Sequence, residues 1–186
     1  MSFLDLSKHL MYDFWCNNIT SKYGEKVNSL YTDTDSLIMQ VDTPDIYADM
    51  SVGYDLSDFP KDHQYHGNTN KKVIGRFNDE CCSVPINEFI ALMPKMYSIE
   101  LSDLRNIWKA KGEVKSIVKK DLRHALYTRS LQEGKQFTHT LVLIGSNEHQ
   151  IGVFEQNKIN LSPLDTKRYI LPDGITTLAY GYKDST

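Results

Sequence analysis

The sequence predicts an α+β chain of antiparallel hairpins and small sheets packed on a few helices, and three observations carry that expectation. Apolar residues between positions 2 and 19 recur at helical spacing, whereas several later stretches alternate like half-buried strands around short polar turns. The composition, 40% hydrophobic and 24% charged over 186 residues, is globular rather than disordered. A chain of this length buries one ordinary core or forms one to two pieces of something larger. No apolar run approaches the roughly 20 residues needed to span a bilayer, and no charged-then-apolar leader follows Met1, so a soluble intracellular protein without a membrane partner is expected. Cys16 and the adjacent Cys81 and Cys82 are too few and too badly spaced for a disulfide framework or a zinc site.

The first element is an amphipathic helix opening at Ser2. Leu6, Leu10 and Phe14, with Met11 and Trp15, then Ile19, recur at three- and four-residue intervals, and Tyr23-Gly24 ends it. Its stripe is expected to pack under the next element, Leu30-Tyr31-Thr32-Asp33-Thr34-Asp35-Ser36-Leu37. Leu37, Met39 and Val41 alternate with Ile38 and Gln40, which reads as the second strand of a β-hairpin with its turn at residues 32–34. Asp33 and Asp35 then stand close together at the tip. Like charges so placed repel and lose hydration, which favours a cation beside them, and hard carboxylate oxygens suit Mg²⁺ or Mn²⁺. A bare Asp-x-Asp is more often a solvated turn.

Thr43 as N-cap with Pro44 in the first turn predicts a short helix near residues 46–50. Residues 55–70 read as a long polar loop, in which His63 and His66 lack a third type of metal ligand; residues 72–80 read as a half-exposed strand. A further strand over residues 85–93 runs into Pro94-Lys95-Met96-Tyr97. In a strand Lys95 and Tyr97 share a face, an ammonium suited to phosphate beside a ring suited to a sugar or base. The plainer alternative is an edge strand with a solvated Lys and a half-buried Tyr.

Lys109-Ala110-Lys111-Gly112 reads as a turn leading to residues 114–118. Lys119-Lys120-Asp121 then opens a helix with Leu122, Ala125, Leu126 and Leu131 inward and Gly134 near its end. Residues 140–144 and 150–154 form a hairpin around a turn at 145–148. In the tail, Lys167-Arg168 suits phosphate, a neighbouring domain or an ion pair with Asp165.

Charge is unevenly spread. Residues 1–60 carry three Lys and ten acidic residues, a net −7; residues 61–135 carry fourteen basic and nine acidic, a net +5; residues 136–186 carry four and five, a net −1. Residues 105–135 alone reach +6, with nine basic and three acidic side chains. An acidic metal site joined to a basic surface that meets phosphates fits this pattern.

The string Tyr31-x-Asp33-Thr34-Asp35-Ser36 between aliphatic flanks resembles palm motif C of family B DNA polymerases, and Lys95-x-Tyr97 downstream resembles that family's primer-end motif. Met11-Tyr12-Asp13-Phe14-Trp15, Asp165-x-Lys167-Arg168-Tyr169 and Pro172-Asp173-Gly174-Ile175-x-Thr177-Leu178-Ala179-Tyr180-Gly181-Tyr182 are similar to the protein-primed branch of Polinton or adintovirus type. The resemblance implies a palm fragment over residues 1–100, with antiparallel strands and a catalytic β-hairpin packed on helices, followed by a mixed thumb-like region over 101–186. It implies Asp35 as the principal ligand of two Mg²⁺ ions, with Mn²⁺ as a substitute, and Asp33 as the supporting carboxylate. Tyr31, Thr34, Ser36, Lys95 and Tyr97 would lie against DNA and the primer, and Lys109, Lys111, Lys115, Lys119, Lys120, Lys167 and Arg168 against phosphates. Primer-template DNA, deoxynucleoside triphosphates and a terminal priming protein are the implied partners, in the nucleus or at a viral replication site of a eukaryotic host.

A motif A aspartate and a motif B lysine helix, which the family places ahead of motif C, are not found before Tyr31. The expectation is therefore a C-terminal polymerase fragment, inactive alone, whose N-terminal palm, fingers and exonuclease parts are separate from this sequence. A non-catalytic DNA-binding remnant of an integrated mobile or viral element is the alternative. A free-standing metal nuclease is weaker, because no third acidic ligand stands at a recognisable spacing.

Overall fold

The protein is α+β, with small antiparallel sheets and few helices, in a computed structural model that describes residues 2–112, 122–164, 168–174 and 176–179. It divides into two compact units, Met1–Ile86 with Leu101–Asp103, and Asn87–Glu100 with Leu104–Thr186. No helix among the described residues is long and apolar enough to cross a membrane. None of Cys16, Cys81 and Cys82 is in a disulfide.

The first unit opens with α1 (Phe3–Asp13), fixed by a reciprocal cap: Ser2 Oγ accepts from the Asp5 amide while the Asp5 carboxylate takes the Ser2 amide and hydroxyl. The Ser2 hydroxyl also holds the Asp5 carboxyl below its ordinary range. Beyond Asp13 the winding loosens into a π-helical segment, Phe14–Thr20, before a turn of α2 (Ser21–Tyr23) and a 3₁₀ turn, Gly24–Lys26. Winding with i→i+5 bonds stacks residues five apart, and Phe14 and Ile19 are both buried. That corrects the expected burial of a regular stripe. None of α1 is buried, and Leu6 and Leu10 are exposed.

The hairpin packs on this loosened segment. Strands β1 (Val27–Asp33) and β2 (Ser36–Val41) pair antiparallel, and Phe14, Ile19 and Val27 form a core with Leu37, Met39, Val41, Trp15, Tyr23, Tyr54 and Phe77. The Phe14 and Phe77 rings stack with centroids 3.9 Å apart. Ser29 pairs with Met39 but Tyr31 pairs with Ile38, so Leu30 is an extra residue in a β-bulge.

A short helix α3 (Ile46–Met50) follows, capped by Asp45 rather than by the expected Thr43: Asp45 Oδ1 accepts from the Tyr47 and Ala48 amides. The half-exposed strand expected over residues 72–80 is not formed. Turns and irregular backbone occupy that stretch, tied down by an isolated parallel bridge from Asp55 to Asn78 and by the Asp55 carboxylate, which accepts from the Lys72 and Ser57 amides.

In the second unit β3 (Ile86–Met93), β4 (Met96–Leu101) and β5 (Asn106–Ala110) form a three-stranded sheet in that order. Helix α4 (His124–Glu133) ends at Gly134, whose φ of 62° supplies the left-handed stop that the sequence reading assigned to it. Its inward residues are Tyr127 and Ser130, whereas Leu131 is exposed and Leu122 is buried just ahead of the helix. Ile90, Met96, Leu122, Tyr127 and Leu161 make the core. Residues 114–118 and the opening of the helix at 119–121 lie outside the described residues. A long hairpin of β6 (Phe137–Asn147) and β7 (Gln150–Leu161) turns at Glu148 and His149, both at positive φ, the backbone that a two-residue turn between twisted strands requires. A small ladder, β8 (Arg168–Ile170) with β9 (Thr177–Ala179), follows.

The contrast between α1 and the π-helical segment is testable by urea unfolding. Ile19→Ala should cost about 2–5 kcal/mol, and Leu6→Ala on exposed α1 less than about 0.5 kcal/mol. Equal losses would contradict this placement of the core.

Candidate functional site: an acidic hairpin tip and a basic sheet end

The acidic tip is built by the bulge. Cross-strand partners share a face, so Val27, Ser29 and Thr32 lie on the core side with Val41, Met39 and Leu37, while Tyr31 and Asp33 lie on the other side with Ile38 and Ser36. Without the extra Leu30 each residue beyond it would change sides. The bulge thus sets Tyr31 and Asp33, both half-buried, on the face opposite Leu37 and Met39, while Ser29 and Thr32 on the Leu37 face stay exposed.

The loop is Thr34-Asp35, which overlaps the expected turn at residues 32–34 only at Thr34. Thr34 has φ +27°, and the Asp35 amide donates back to the Asp33 carbonyl across it. Ser36 Oγ donates to the same carbonyl at 3.3 Å, and Thr34 Oγ1 donates to Asp33 Oδ1 at 3.3 Å. Asp33 closes β1 half-buried, whereas Asp35 stands exposed in the loop. Among the described residues no three His, Cys, Asp or Glu side chains gather closely enough to hold a metal ion together. Mg²⁺ commonly uses one or two carboxylates with water and substrate phosphate, so the pair fits the type of ligand such an ion takes.

Polar contacts that the sequence did not reveal brace the two ends of this hairpin. Asp49 of α3 is 2.7 Å from Lys22 Nζ and accepts from Tyr23 Oη at 2.9 Å and Thr43 Oγ1 at 2.8 Å, joining the segment that enters β1 to the one that leaves β2. The Lys22 ammonium, then the Thr43 and Tyr23 hydroxyls, hold the Asp49 carboxyl below the usual range. Burial, then the neighbouring carboxylate, pushes Tyr23 upward.

Lys95 is not in a strand, which corrects the expectation that it shares a strand face with Tyr97. Pro94-Lys95 is the two-residue loop between β3 and β4, and Lys95 sits at φ +66° after Pro94, the order of residues favoured in a type II turn. Strand pairing instead sets Lys109 of β5 directly opposite Tyr97 of β4, and the Lys111 amide donates to the Lys95 carbonyl at 3.0 Å. Lys95, Lys109 and Lys111, all exposed, therefore gather at one end of the sheet around the half-buried Tyr97, whose ring lies 5.9 Å from that of Phe89. Lys158 of β7 donates to the Gly112 carbonyl beside them, an addition the sequence reading missed because it lies 46 positions away.

Buried polar contacts fix this end. Tyr127 Oη donates to the Lys109 carbonyl at 2.9 Å, and Ser98 Oγ lies 2.7 Å from His124 Nδ1. His124 Nε2 lies 3.2 Å from Glu88 Oε2, at an angle outside a hydrogen bond. Ser98 is fully buried, so this Ser-His-Glu set is a structural pin between β3, β4 and α4 rather than a nucleophile open to substrate. No local pattern announces it. Its serine and histidine are 26 residues apart.

Arg168 lies exposed in β8 and donates to Thr177 Oγ1 at 2.8 Å, while Lys115, Lys119, Lys120 and Lys167 lie outside the described residues. The acidic tip belongs to the first unit and the basic sheet end to the second. No protein-family model matches the chain, and neither a search of curated proteins nor one of solved structures finds a match.

Two outcomes follow for stability. Because the Asp49 pKa is lowered on folding, its contribution is present above the unfolded carboxyl value of about 3.9 and is lost as pH falls through the lower folded value. Asp49→Asn should flatten the acid limb of a melting temperature against pH curve below about pH 4, and an unchanged limb would remove Asp49 from the bracing contacts. At position 95 the left-handed backbone costs a non-glycine residue roughly 1–2 kcal/mol, partly offset in glycine by chain entropy. Urea midpoints should therefore rank Lys95→Gly above the parent and Lys95→Val below it.

Proposed function

We propose that this chain is the C-terminal palm and thumb part of a DNA-directed DNA polymerase of the family B type. In the longer enzyme it would take part in adding deoxynucleotides to a primer 3′-hydroxyl. The observation that carries the reading is the Asp33-Thr34-Asp35 string at the tip of a bulged two-stranded hairpin, with its supporting aliphatic flanks turned to the core. The sequence string gives the resemblance; the hairpin is the kind of support such a string needs. Lys95, Lys109 and Lys111 around Tyr97 add a surface whose chemistry suits a phosphate backbone and a sugar or base ring.

In this reading Asp35 and Asp33 bind hard cations, with the remaining positions left to water, triphosphate oxygens and an aspartate from the rest of the enzyme. Mg²⁺ bound there would lower the pKa of the primer hydroxyl and neutralise charge on the triphosphate. Tyr31, Thr34 and Ser36 set the shape of the tip, and Thr34 orients the Asp33 carboxylate through its hydroxyl. Lys95 and Tyr97 hold the primer end, where a small misplacement is costly because positioning governs the rate. Lys109, Lys111 and Arg168 contact phosphates without reading sequence.

Two measurements test the proposal. Titration of the chain with Mn²⁺, followed by electron paramagnetic resonance, should show binding that Asp33→Asn with Asp35→Asn weakens at least tenfold, about 1.4 kcal/mol. In the polymerase that carries the chain, Asp35→Asn should abolish primer extension while duplex binding persists. Retained extension would sink the metal assignment, and loss of duplex binding as well would point to a folding defect rather than to the ligand.

A further inference from the structure

The β6–β7 hairpin ends in a surface that the polymerase reading does not use. Over its 11 residues β6 contains no Asp, Glu, Lys or Arg, and the ladder it forms with β7 has no third strand among the described residues. Both outer edges of a two-stranded ribbon keep backbone N–H and C=O groups that face outward. The register places Val142, Ile144, Ile151 and Val153 on one face with Ser146 and Glu155, and the exposures of the four apolar side chains are 63%, 80%, 82% and 68%. On the opposite face Phe154 lies over two glycines: a Cβ at Gly145 or Gly152 would come within 3.3 or 3.4 Å of its ring. That cover keeps the ribbon stiff where glycine would otherwise loosen it.

Charge selects the occupant. Between residues 137 and 155 the formally charged side chains are Glu148, in the turn, and Glu155, opposite Val142, both acidic, so a polyanion such as DNA finds no cation there. An uncharged β strand suits this edge, and the strand of that kind already in the protein is β6 itself. A two-fold axis sets two copies of β6 antiparallel, with each residue facing its symmetry mate's strand, an arrangement that like charges would oppose and that β6 meets with none. Natural edges are commonly guarded by an inward charge, a proline or a bulge within the strand; β6 from Thr138 to Asn147 has no charge or proline and keeps an unbroken register with β7.

We propose that β6 is a self-association edge, through which two copies of this chain join their hairpins into a four-stranded antiparallel sheet, with Val142 and Ile144 beside the same residues of the other copy on one face. The inference stands apart from the polymerase reading. A strand of this length spans about 37 Å at 3.4 Å per residue, so the contact is narrow and the dimer weak.

Sedimentation of the full chain over a concentration series tests it. The expected result is a rise from monomer to dimer mass that Ile144→Lys abolishes, because the substitution sets like charges across the two-fold axis, while circular dichroism is unchanged. Val142→Lys should do the same and stands in if Ile144→Lys fails to fold. A mass that stays monomeric at every concentration overturns the proposal. So does a dimer that survives both substitutions, or one that dissolves on Leu6→Lys instead, which would assign association to the exposed stripe of α1.

Discussion

The bulge at Leu30 is the constraint on which the first unit's acidic tip depends. Strand sidedness has a period of two, so one unpaired residue reverses every side chain beyond it. Here the residue falls between Ser29 and Tyr31, late enough for Val27 to remain in the core and early enough for Tyr31 and Asp33 to face away from it. An unbulged pairing would turn Asp33 toward Leu37, Met39 and their aromatic neighbours. Thr32, which holds that face beside Leu37, is exposed, so the bulge decides which face the carboxylate takes rather than whether water reaches it.

The second unit meets a different difficulty, polar atoms beside a small core, by hydrogen bonding. Tyr127 is fully buried yet its hydroxyl reaches the Lys109 carbonyl, and buried Ser130 donates to the Lys135 carbonyl just past the end of its helix. Each pairing avoids the roughly 1–3 kcal/mol cost of an unsatisfied buried group. The Tyr127 contact also fixes the backbone of Lys109, opposite Tyr97. A core contact thereby holds the cation that faces solvent. The π-helical turn of the first unit works differently: its looser winding brings Phe14 and Ile19 onto one face, where regular α-helical winding would separate them.

Much of the architecture was legible in the sequence because it follows from neighbours a few residues apart. Alternation marked the strands beside Asp33 and Asp35, Ser2 and Asp5 stand at capping-box spacing, and Gly134 ended its helix by the freedom of glycine at positive φ. The pairing of Tyr97 with Lys109, the contacts of Asp49 with Lys22 and Tyr23 and the contact of Ser98 with His124 join residues 12 to 27 positions apart, and no local periodicity encodes them.

By itself the sequence determined the α+β class, the acidic string on a hairpin and the basic middle of the chain, since composition and short-range pattern set these. The tertiary structure alone decided which way the string faces, because the Leu30 bulge is a property of pairing with β2. It also moved Lys95 from a strand face into a turn at φ +66° and gave Tyr97 its cation from another strand. A turn forced between two paired strands overrides the conformational preference of the residue within it, since ladder hydrogen bonds and core burial outweigh the roughly 1–2 kcal/mol of left-handed backbone.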